Sequence, residues 1–225
     1  MTVGNPSYWD DFFQQNLLPS VISHVIATWE QMPIPGPSDL EDAISVKLYS
    51  ALIKAKDRNA HAFLIRYQDV EVDTDLVKET GRKDIVFFPS LQEQEIYLCL
   101  EAKRLNAVIS GVRRSLADEY VKEGMQRFVD GKYARFVRHG AMLAYVLDGD
   151  THRAMQNVEN NIRKRFAELR MDKNGGFVAS TIRPDDPRTK ETRHRRAHEK
   201  TVFRIHHLFV AGREFKLSRQ NLRRA

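Results

Sequence analysis

Two acidic residues and one lysine lie where two apolar segments meet polar sequence. Asp84 begins the segment DIVFFPS, and Glu101 and Lys103 follow the apolar run IYLCL within the tripeptide Glu-Ala-Lys. If both segments are strands, Glu101 and Lys103 point to one face, because alternate side chains of a strand share a face. A hairpin of this length can also place Asp84 opposite Glu101. Two carboxylates and the Ala102 carbonyl would then form an oxygen-lined site suited to Mg²⁺, which takes a substrate phosphate.

An ion at this place would lower the pKa of a bound water and stabilise a phosphoryl transition state. Lys103 would orient or deprotonate that water, or neutralise charge on the phosphate. The alternative is that Glu101 and Lys103 are a solvated pair and that Asp84 only begins a strand. Against this alternative, the charges begin directly where an apolar strand ends. The pattern therefore favours metal-assisted hydrolysis of a phosphate ester.

The spacing of apolar residues predicts the elements that position these side chains. Helices are predicted over residues 8–31, with a break near Pro19, and over 40–56, 113–130 and 152–170. Strands are predicted over residues 63–73, 84–90, 95–105, 141–150 and 201–210. Residues 171–200 are predicted to be loop. Ser38 or Asp39 is predicted to cap the second helix, and Gly131 to end the third.

Basic residues are concentrated in the last third of the chain. The net charge is +6, and the segments 183–204 and 213–224 are rich in arginine and lysine. Lys and Arg gain affinity for polyanions by releasing counterions, so this segment suggests a nucleic-acid partner. The alternative is that the basic balance only keeps the protein in solution. The residues expected to contact phosphate here are Arg193, His194, Arg195 and Arg196.

Four histidines, His194, His198, His206 and His207, lie within this basic segment and could suggest a zinc site. However, His206 and His207 are adjacent in a predicted strand and must point to opposite faces, which disfavours a shared ion. We expect His194 and His198 to belong to the phosphate-contacting loop instead.

The single cysteine, Cys99, excludes a disulfide within the chain and a zinc site built from cysteines. It indicates a reducing, cytoplasmic setting. The sequence shows neither a signal-peptide pattern nor the roughly 18–20 apolar residues of a membrane span, so we expect no membrane partner. Trp9, Phe12 and Phe13 near the N-terminus are expected to pack on the core or at an oligomer interface, with stacking on single-stranded bases as the alternative.

The arrangement of Asp84 before an apolar strand and Glu101-Ala-Lys103 after the next resembles the PD-(D/E)xK nuclease superfamily, over about residues 38–150. Lys83, rather than proline, precedes Asp84. The resemblance implies an α/β fold with a restriction-endonuclease-like core: a mixed central sheet of four to five strands flanked by helices, in the order αβββαβ with an additional helix and strand. It also implies Mg²⁺ or Mn²⁺ as cofactor and cleavage that leaves a 5′-phosphate and a 3′-hydroxyl.

The resemblance also implies that the first core helix brings an acidic residue to the metal. Glu41 is the best match and Asp42 the next, although both acids could merely complement the helix N-terminus. From the helix after the central strand, Gln126 resembles a polar residue that extends the active site. Lys122 and Arg127 could reach phosphate from the same helix, or form part of a solvated face.

These expectations divide the chain into an N-terminal helical extension (1–37), a nuclease-like domain (38–210) and a basic tail (211–225). The leading hypothesis is a cytoplasmic, Mg²⁺-dependent DNA nuclease of restriction or anti-phage defence, acting as a homodimer or as a subunit of a defence complex. An RNA-directed nuclease is one alternative. The other is a non-catalytic nucleic-acid-binding or assembly subunit with a nuclease-like fold, against which the intact Asp84, Glu101 and Lys103 argue.

Overall fold

One mixed sheet of seven strands, with helices on both faces, organises the chain. The computed structural model describes residues 17–56, 61–73, 78–89, 96–135, 137–197 and 201–211. The strands are β1 (Phe63–Asp73), β2 (Lys78–Pro89), β3 (Leu98–Leu105), β4 (Ala107–Ile109), β5 (Val112–Arg114), β6 (His139–Val146), β7 (Val178–Ala179), β8 (Thr189–Arg195) and β9 (Val202–Ala211). The helices are α1 (Leu18–Gln31), α2 (Glu41–Ala55), α4 (Thr151–Lys164) and a composite α3, with α-helical Ala117–Glu119, π-helical Tyr120–Met125 and α-helical Gln126–Val129.

The strand order in the sheet is β1-β2-β3-β6-β9-β8-β7, and β4 and β5 form a separate two-stranded ribbon. The three central strands β3, β6 and β9 are parallel to one another, and the outer pairs are antiparallel. Helices α3 and α4 make the two crossovers between the parallel strands. Central parallel strands are covered on both faces and are therefore apolar, as in β6, where every residue is buried.

The two faces of the sheet carry separate hydrophobic clusters. On one face α1 and α2 pack on the sheet through residues such as Ile22, Ile44 and Leu48. On the other face α3 and α4 do so through residues such as Phe128 and Val158. Since β3 lies in the middle of the sheet, a charged side chain near its centre is shielded from water on either face.

The predicted α/β class is confirmed, but the sheet is larger than the four to five strands expected. The prediction that residues 171–200 form a loop is wrong for the two-residue strand β7 and for the longer strand β8. Strand β8 was missed because its inward positions are polar rather than apolar. Thr189 donates a hydrogen bond to the Arg183 carbonyl, and Glu191 accepts one from the Thr181 hydroxyl. Inside the fold these side chains find polar partners, so their burial leaves no hydrophobic pattern in the sequence.

Two boundary predictions were also wrong. Helix α3 begins at Ala117 rather than at residue 113, because the chain first forms the β4–β5 ribbon. At the start of α2, Leu40 is the N-cap residue and no side chain caps the helix, so neither Ser38 nor Asp39 does so. The predicted end of α3 is confirmed: Gly131 follows it with φ +73°, a left-handed conformation that favours glycine.

The N-terminal aromatic residues Trp9, Phe12 and Phe13, together with His198 and the tail from residue 212, lie outside the described residues. Among the residues that the structure does describe, no helix is long and apolar enough to cross a membrane.

Candidate active site

Strands β2 and β3 separate at the point where the predicted residues lie. Their pairing covers three residues of each strand and ends with Ile85 opposite Leu100. Asp84 and Glu101 hold the next positions in this register. Beyond them β2 continues beside β1, and β3 continues beside β6. The result is a fork between the two strands, and the candidate site is in this fork.

The fork leaves backbone groups of β3 without a partner from β2, and site side chains bind them instead. The Ala102 N–H donates to Asp84 Oδ2 at 2.8 Å, and the Arg104 N–H donates to Glu41 Oε2 at 3.0 Å. The Ala102 carbonyl accepts from Lys103 Nζ at 2.8 Å. Because buried backbone groups require hydrogen bonds, the open strand itself fixes these three side chains.

Lys103 is the centre of the site. Its Nζ donates to Glu41 Oε1 at 2.9 Å and lies 3.0 Å from Glu101 Oε1. The Glu101 side chain is 1% exposed and that of Lys103 is 12% exposed. Glu41 comes from the first turn of α2. The structure therefore brings together the two residues of the Glu-Ala-Lys tripeptide, Asp84 and the helix acid.

Arg127 and Tyr133 extend the site from the other side of Glu101. Arg127 Nη1 donates to Glu101 Oε1 at 3.1 Å and to the Tyr133 hydroxyl at 2.8 Å. Tyr133 in turn donates to the Arg82 carbonyl at 2.8 Å. A Cβ at Gly81 would lie 2.5 Å from the Tyr133 ring, so glycine is required for this close approach. Sequence reasoning missed Tyr133, which lies in a turn after α3 and joins the site only through tertiary contacts.

Helix α3 packs closely on β6 at Gly124. A Cβ at Gly124 would lie 2.3 Å from Met142 Cε, the end of a flexible side chain on β6 that would have to shift, and at an ordinary 3.6 Å from Lys103 Cγ. Gly124 lies in the π-helical segment Tyr120–Met125. A π-turn inserts an extra residue into a helical turn and is frequent at functional sites. Here it precedes Arg127, whose side chain reaches Glu101.

Charge and burial oppose each other in this site. Burial, together with the nearby Asp84 carboxylate, raises the pKa of Glu101 to about 8, against the effect of Lys103 and Arg127. Burial also raises the pKa of Asp84, although the Ala102 N–H and Lys103 oppose it. Burial acts to lower the pKa of Lys103, but Glu101 and Glu41 outweigh it and raise that pKa. Lys103 thus stays protonated. At Asp84 and Glu101, the positive charge nearby does not offset the effect of burial, so both pKa values remain raised.

The donor atoms fit a hard divalent cation in their chemistry. Glu101 Oε2 is buried without a hydrogen-bond partner among the described residues, and such an atom gains most from a cation. Asp84, Glu41 and the Ala102 carbonyl supply further oxygens of the kind that Mg²⁺ prefers. In their present positions, no group of three or more His, Cys, Asp or Glu side chains within the described part of the chain could hold a metal ion. The ammonium group of Lys103 lies among these oxygens.

The other residues predicted to contact nucleic acid lie apart from this cluster. Lys122 is exposed on α3, whereas Gln126 donates to Asp130 Oδ1 at 2.9 Å and to the Glu168 carbonyl at 3.3 Å. Arg193 and Arg195 are exposed on β8. That strand is three positions from β3 in the sheet, or about 14 Å at the usual strand spacing.

Two of the predicted phosphate contacts need correction, because His194 and Arg196 are buried, at 1% and 3% exposure. His194 shares a 2.8 Å hydrogen bond with the Leu169 carbonyl and another with Thr192 Oγ1 at 2.7 Å. Arg196 donates to three backbone carbonyls, of Ala134, Arg135 and Val137. They are inside because the segment is a strand of the sheet and not a surface loop. Neither side chain is therefore available to a phosphate.

The two adjacent histidines of β9 point to opposite faces, as predicted. His206 shares a 2.9 Å hydrogen bond with His139, and His207 shares one of 2.9 Å with the Tyr120 hydroxyl. They cannot therefore bind one zinc ion together.

Comparison with known proteins leaves the site to be judged on its geometry. No protein-family model matches the chain, no curated protein is significantly similar to it, and no solved structure matches it at a significant level.

Proposed function

We propose that this protein is a divalent-metal-dependent nuclease that hydrolyses phosphodiester bonds in DNA. The observation that supports the proposal most strongly is the cluster in the fork between β2 and β3. Four residues predicted from the sequence as catalytic, Asp84, Glu101, Lys103 and Glu41, come from three different elements, and hydrogen bonds with β3 and Lys103 link them there. A surface salt bridge would not require a buried carboxylate with an unpaired oxygen.

The order of elements around the fork also supports the proposal. Within the main sheet and its helices, the segment from α2 through β1, β2, β3 and α3 to β6 follows the order αβββαβ that the resemblance to PD-(D/E)xK nucleases implies, with the separate β4–β5 ribbon inserted between β3 and α3. The expected mixed sheet agrees with antiparallel β2–β3 and parallel β3–β6 pairing. The proposal therefore includes a restriction-endonuclease-like core.

In the proposed mechanism Asp84, Glu101, Glu41 and the Ala102 carbonyl would hold Mg²⁺ or Mn²⁺. When bound, the ion supplies a Lewis acid and a water of lowered pKa. The protein's own groups prepare the site: Glu101 Oε1 is held by Lys103 and Arg127, which leaves Oε2 for the cation. Lys103 provides a protonated amine that can orient the attacking water or neutralise phosphate charge.

Basic side chains on the elements that border the fork suit a polyanionic substrate. Those on the exposed surface are Arg82 of β2, Arg113 and Arg114 of the β4–β5 ribbon, Lys122 of α3 and Lys132 of the following turn. Arg127, whose side chain is 36% exposed, reaches from Glu101 to the surface. Electrostatic contact with the backbone of nucleic acid needs such a distribution, irrespective of base sequence. The proposed setting is cytoplasmic restriction or anti-phage defence, as a homodimer or a subunit of a complex.

Cleavage of supercoiled plasmid, linear DNA and RNA tests this proposal. The purified chain is stripped with EDTA and assayed with and without Mg²⁺ or Mn²⁺, beside Asp84→Ala and Lys103→Ala. Asp185→Ala and Lys164→Ala are matched controls, because both residues are exposed and lie outside the cluster. We expect metal-dependent cutting of DNA that falls by roughly 100-fold or more in the two site variants and is unchanged in the controls.

The outcomes separate the hypotheses. Persistent cutting by both site variants would contradict the site. Preferential cutting of RNA would identify the RNA-directed nuclease. Nucleic-acid binding without cutting under any metal would favour the non-catalytic subunit.

A further inference from the structure

The ammonium group of Lys103 has the surroundings of a bound metal ion. Its Nζ is 2.9 Å from Glu41 Oε1, 3.0 Å from Glu101 Oε1 and 2.8 Å from the Ala102 carbonyl oxygen. These are three of the oxygen-bearing groups expected to hold the divalent ion. A lysine that only oriented a water from outside the ligand shell would not be bound to these ligands themselves.

The excess of carboxyl groups in the cluster explains why the Lys103 ammonium group lies among them. Glu41, Asp84 and Glu101 are three carboxyl groups, whereas Lys103 and Arg127 are the two cationic groups seen to contact them among the residues that the structure describes. Glu101 is 1% exposed, so water cannot compensate its charge. A buried carboxylate needs a paired charge. Without a metal ion, Lys103 supplies that charge at short range.

We propose that Lys103 occupies the cation position of this site, and that a divalent ion must displace its ammonium group to bind. This inference rests on the proposed function and adds a form of regulation to it. Mg²⁺ binds oxygen at about 2.0–2.1 Å, and Ca²⁺ at 2.3–2.6 Å. An ion that draws Glu41 Oε1 and the Ala102 carbonyl oxygen to such distances leaves no space for Nζ between them. Lys103 and the metal therefore compete for these two oxygens, while Glu101 offers its Oε2 to the ion.

Competition gives the site two states. At low metal concentration the Lys103 ammonium group binds Glu41, Glu101 and the Ala102 carbonyl, so the site is closed to the ion. At high metal concentration the lysine is released toward the exposed side of the cluster, where it can meet a phosphate. Arg127 stays on Glu101 Oε1 in both states, because its second bond, to Tyr133, anchors it away from the cation position.

Metal binding by a lysine variant tests the inference without relying on activity. Lys103→Met keeps an unbranched side chain that is one atom shorter and removes the charge, and Lys164→Met is the matched control on the exposed face of α4. Binding of Mn²⁺ to the full, EDTA-stripped chain is measured by calorimetry and by the electron paramagnetic resonance signal of free Mn²⁺. We expect Lys103→Met to bind Mn²⁺ about tenfold or more tightly than the native chain, because a competing charge a few ångströms away is gone.

The result also distinguishes this inference from the proposed function. If the native chain binds Mn²⁺ and Lys103→Met binds it no more tightly, the competition is refuted while the metal site survives. If neither chain binds Mn²⁺, the metal site of the proposed function fails, and the competition fails with it.

A second measurement uses the native chain, so it tests displacement of Lys103 even if the variant does not fold. Acetylation of lysines by an amine-reactive reagent is followed by mass spectrometry, with and without saturating Mn²⁺, and Lys164 is the internal reference. We expect Lys103 to react slowly without the ion and several-fold faster with it, while Lys164 is unchanged. An unchanged rate at Lys103 under saturating Mn²⁺ would refute displacement.

Discussion

Glu101 should make the stability of the protein depend on pH. Its side chain is 1% exposed, and Oε2 lacks a hydrogen-bond partner among the described residues. Burial and the Asp84 carboxylate raise the pKa of Glu101 to about 8 from the ordinary 4.5 of an unfolded chain. The folded protein therefore holds this proton more tightly than the unfolded chain does.

The sign and size of the effect follow from this difference. Between pH 4.5 and 8, unfolding releases the Glu101 proton, so the free energy of unfolding falls as pH rises through this window. The limiting slope is about 1.4 kcal/mol per pH unit. Because Asp84 and Glu101 titrate as a coupled pair, we expect roughly 2–4 kcal/mol over the window rather than the full limit of about 5 kcal/mol.

Urea unfolding from pH 5 to pH 8.5 measures this contribution by comparing the native chain with Glu101→Gln. Glutamine keeps the shape of the side chain and cannot titrate. Titrating groups that do not interact with Glu101 contribute equally to both proteins, so their contributions cancel in the difference, and the change in the coupled Asp84 is included in the expected range. We expect the variant to lose roughly 2–4 kcal/mol less stability than the native chain across the range. Glu119→Gln, at an exposed position on α3, should parallel the native chain.

The same assay with Mg²⁺ links this titration to the proposed site. A bound cation favours the carboxylate and lowers its pKa, so Mg²⁺ should flatten the pH dependence of the native chain and leave Glu101→Gln unchanged. The reasoning is refuted if the native chain and Glu101→Gln run parallel to within about 0.5 kcal/mol from pH 5 to pH 8.5.

Two further predictions concern the surroundings of the site, and a third concerns the buried His194 of β8. Gly124→Ala should cost roughly 1–3 kcal/mol in urea unfolding, because its Cβ would overlap Met142 Cε and force that side chain to repack in the core. Gly36→Ala, whose Cβ would meet only ordinary contacts, should cost much less, and equal costs would exclude the overlap as the cause. Tyr133→Phe removes the hydrogen bonds of the Tyr133 hydroxyl with Arg127 and with the Arg82 carbonyl, so it should lower the free energy of unfolding by about 1 kcal/mol. It should also weaken binding of a DNA oligonucleotide, measured by fluorescence anisotropy, and unchanged binding would show that Arg127 needs no such anchor. Burial lowers the pKa of His194 to about 4, although its hydrogen bond to the Leu169 carbonyl opposes this shift. As pH falls from 6.5 to 4, the unfolded chain binds a proton at this residue that the folded chain does not bind, so the free energy of unfolding falls. His194→Gln should reduce this dependence on acid pH in urea unfolding, and an identical dependence in both proteins would contradict a buried neutral histidine.

The arrangement of the Glu-Ala-Lys tripeptide could be predicted from the sequence because its geometry is local. Alternation along a strand by itself places Glu101 and Lys103 on one face. The position of charges directly after IYLCL also indicates a central strand that meets polar surroundings. For Glu41, the prediction needed a resemblance, because no local pattern links the first turn of α2 to a strand about 60 residues later.

The fork could not be predicted in the same way. It depends on where the pairing of β2 with β3 stops, which is set by their different neighbours, β1 and β6. Register and strand neighbours are long-range properties that no short segment encodes. The bonds of Asp84 and Glu41 to the backbone of β3 follow from the fork, as does the position of the Lys103 ammonium group among its ligands.

The main error in the predicted fold was the missed strand β8, whose buried residues are polar. Arginine, histidine and threonine in the segment from Thr189 to Arg196 are typical of an exposed loop, and sequence periodicity has no way to find their partners. In the structure Arg196 binds backbone carbonyls and packs on the Phe203 ring at 4.0 Å, which makes its burial favourable. The basic character of this segment is therefore only partly a surface property.

The location of a bound Mn²⁺ ion shows whether the fork between β2 and β3 is a metal site. Crystals of the full chain, soaked with Mn²⁺ and measured at its absorption edge, would show the ion in an anomalous difference map. We expect one strong peak in the fork, in coordination contact with Asp84 and with Glu101 Oε2, and Lys103 Nζ moved from its place between Glu41 and the Ala102 carbonyl. A map without a peak in the fork, or with its only ordered Mn²⁺ at another place in the protein, would contradict this expectation.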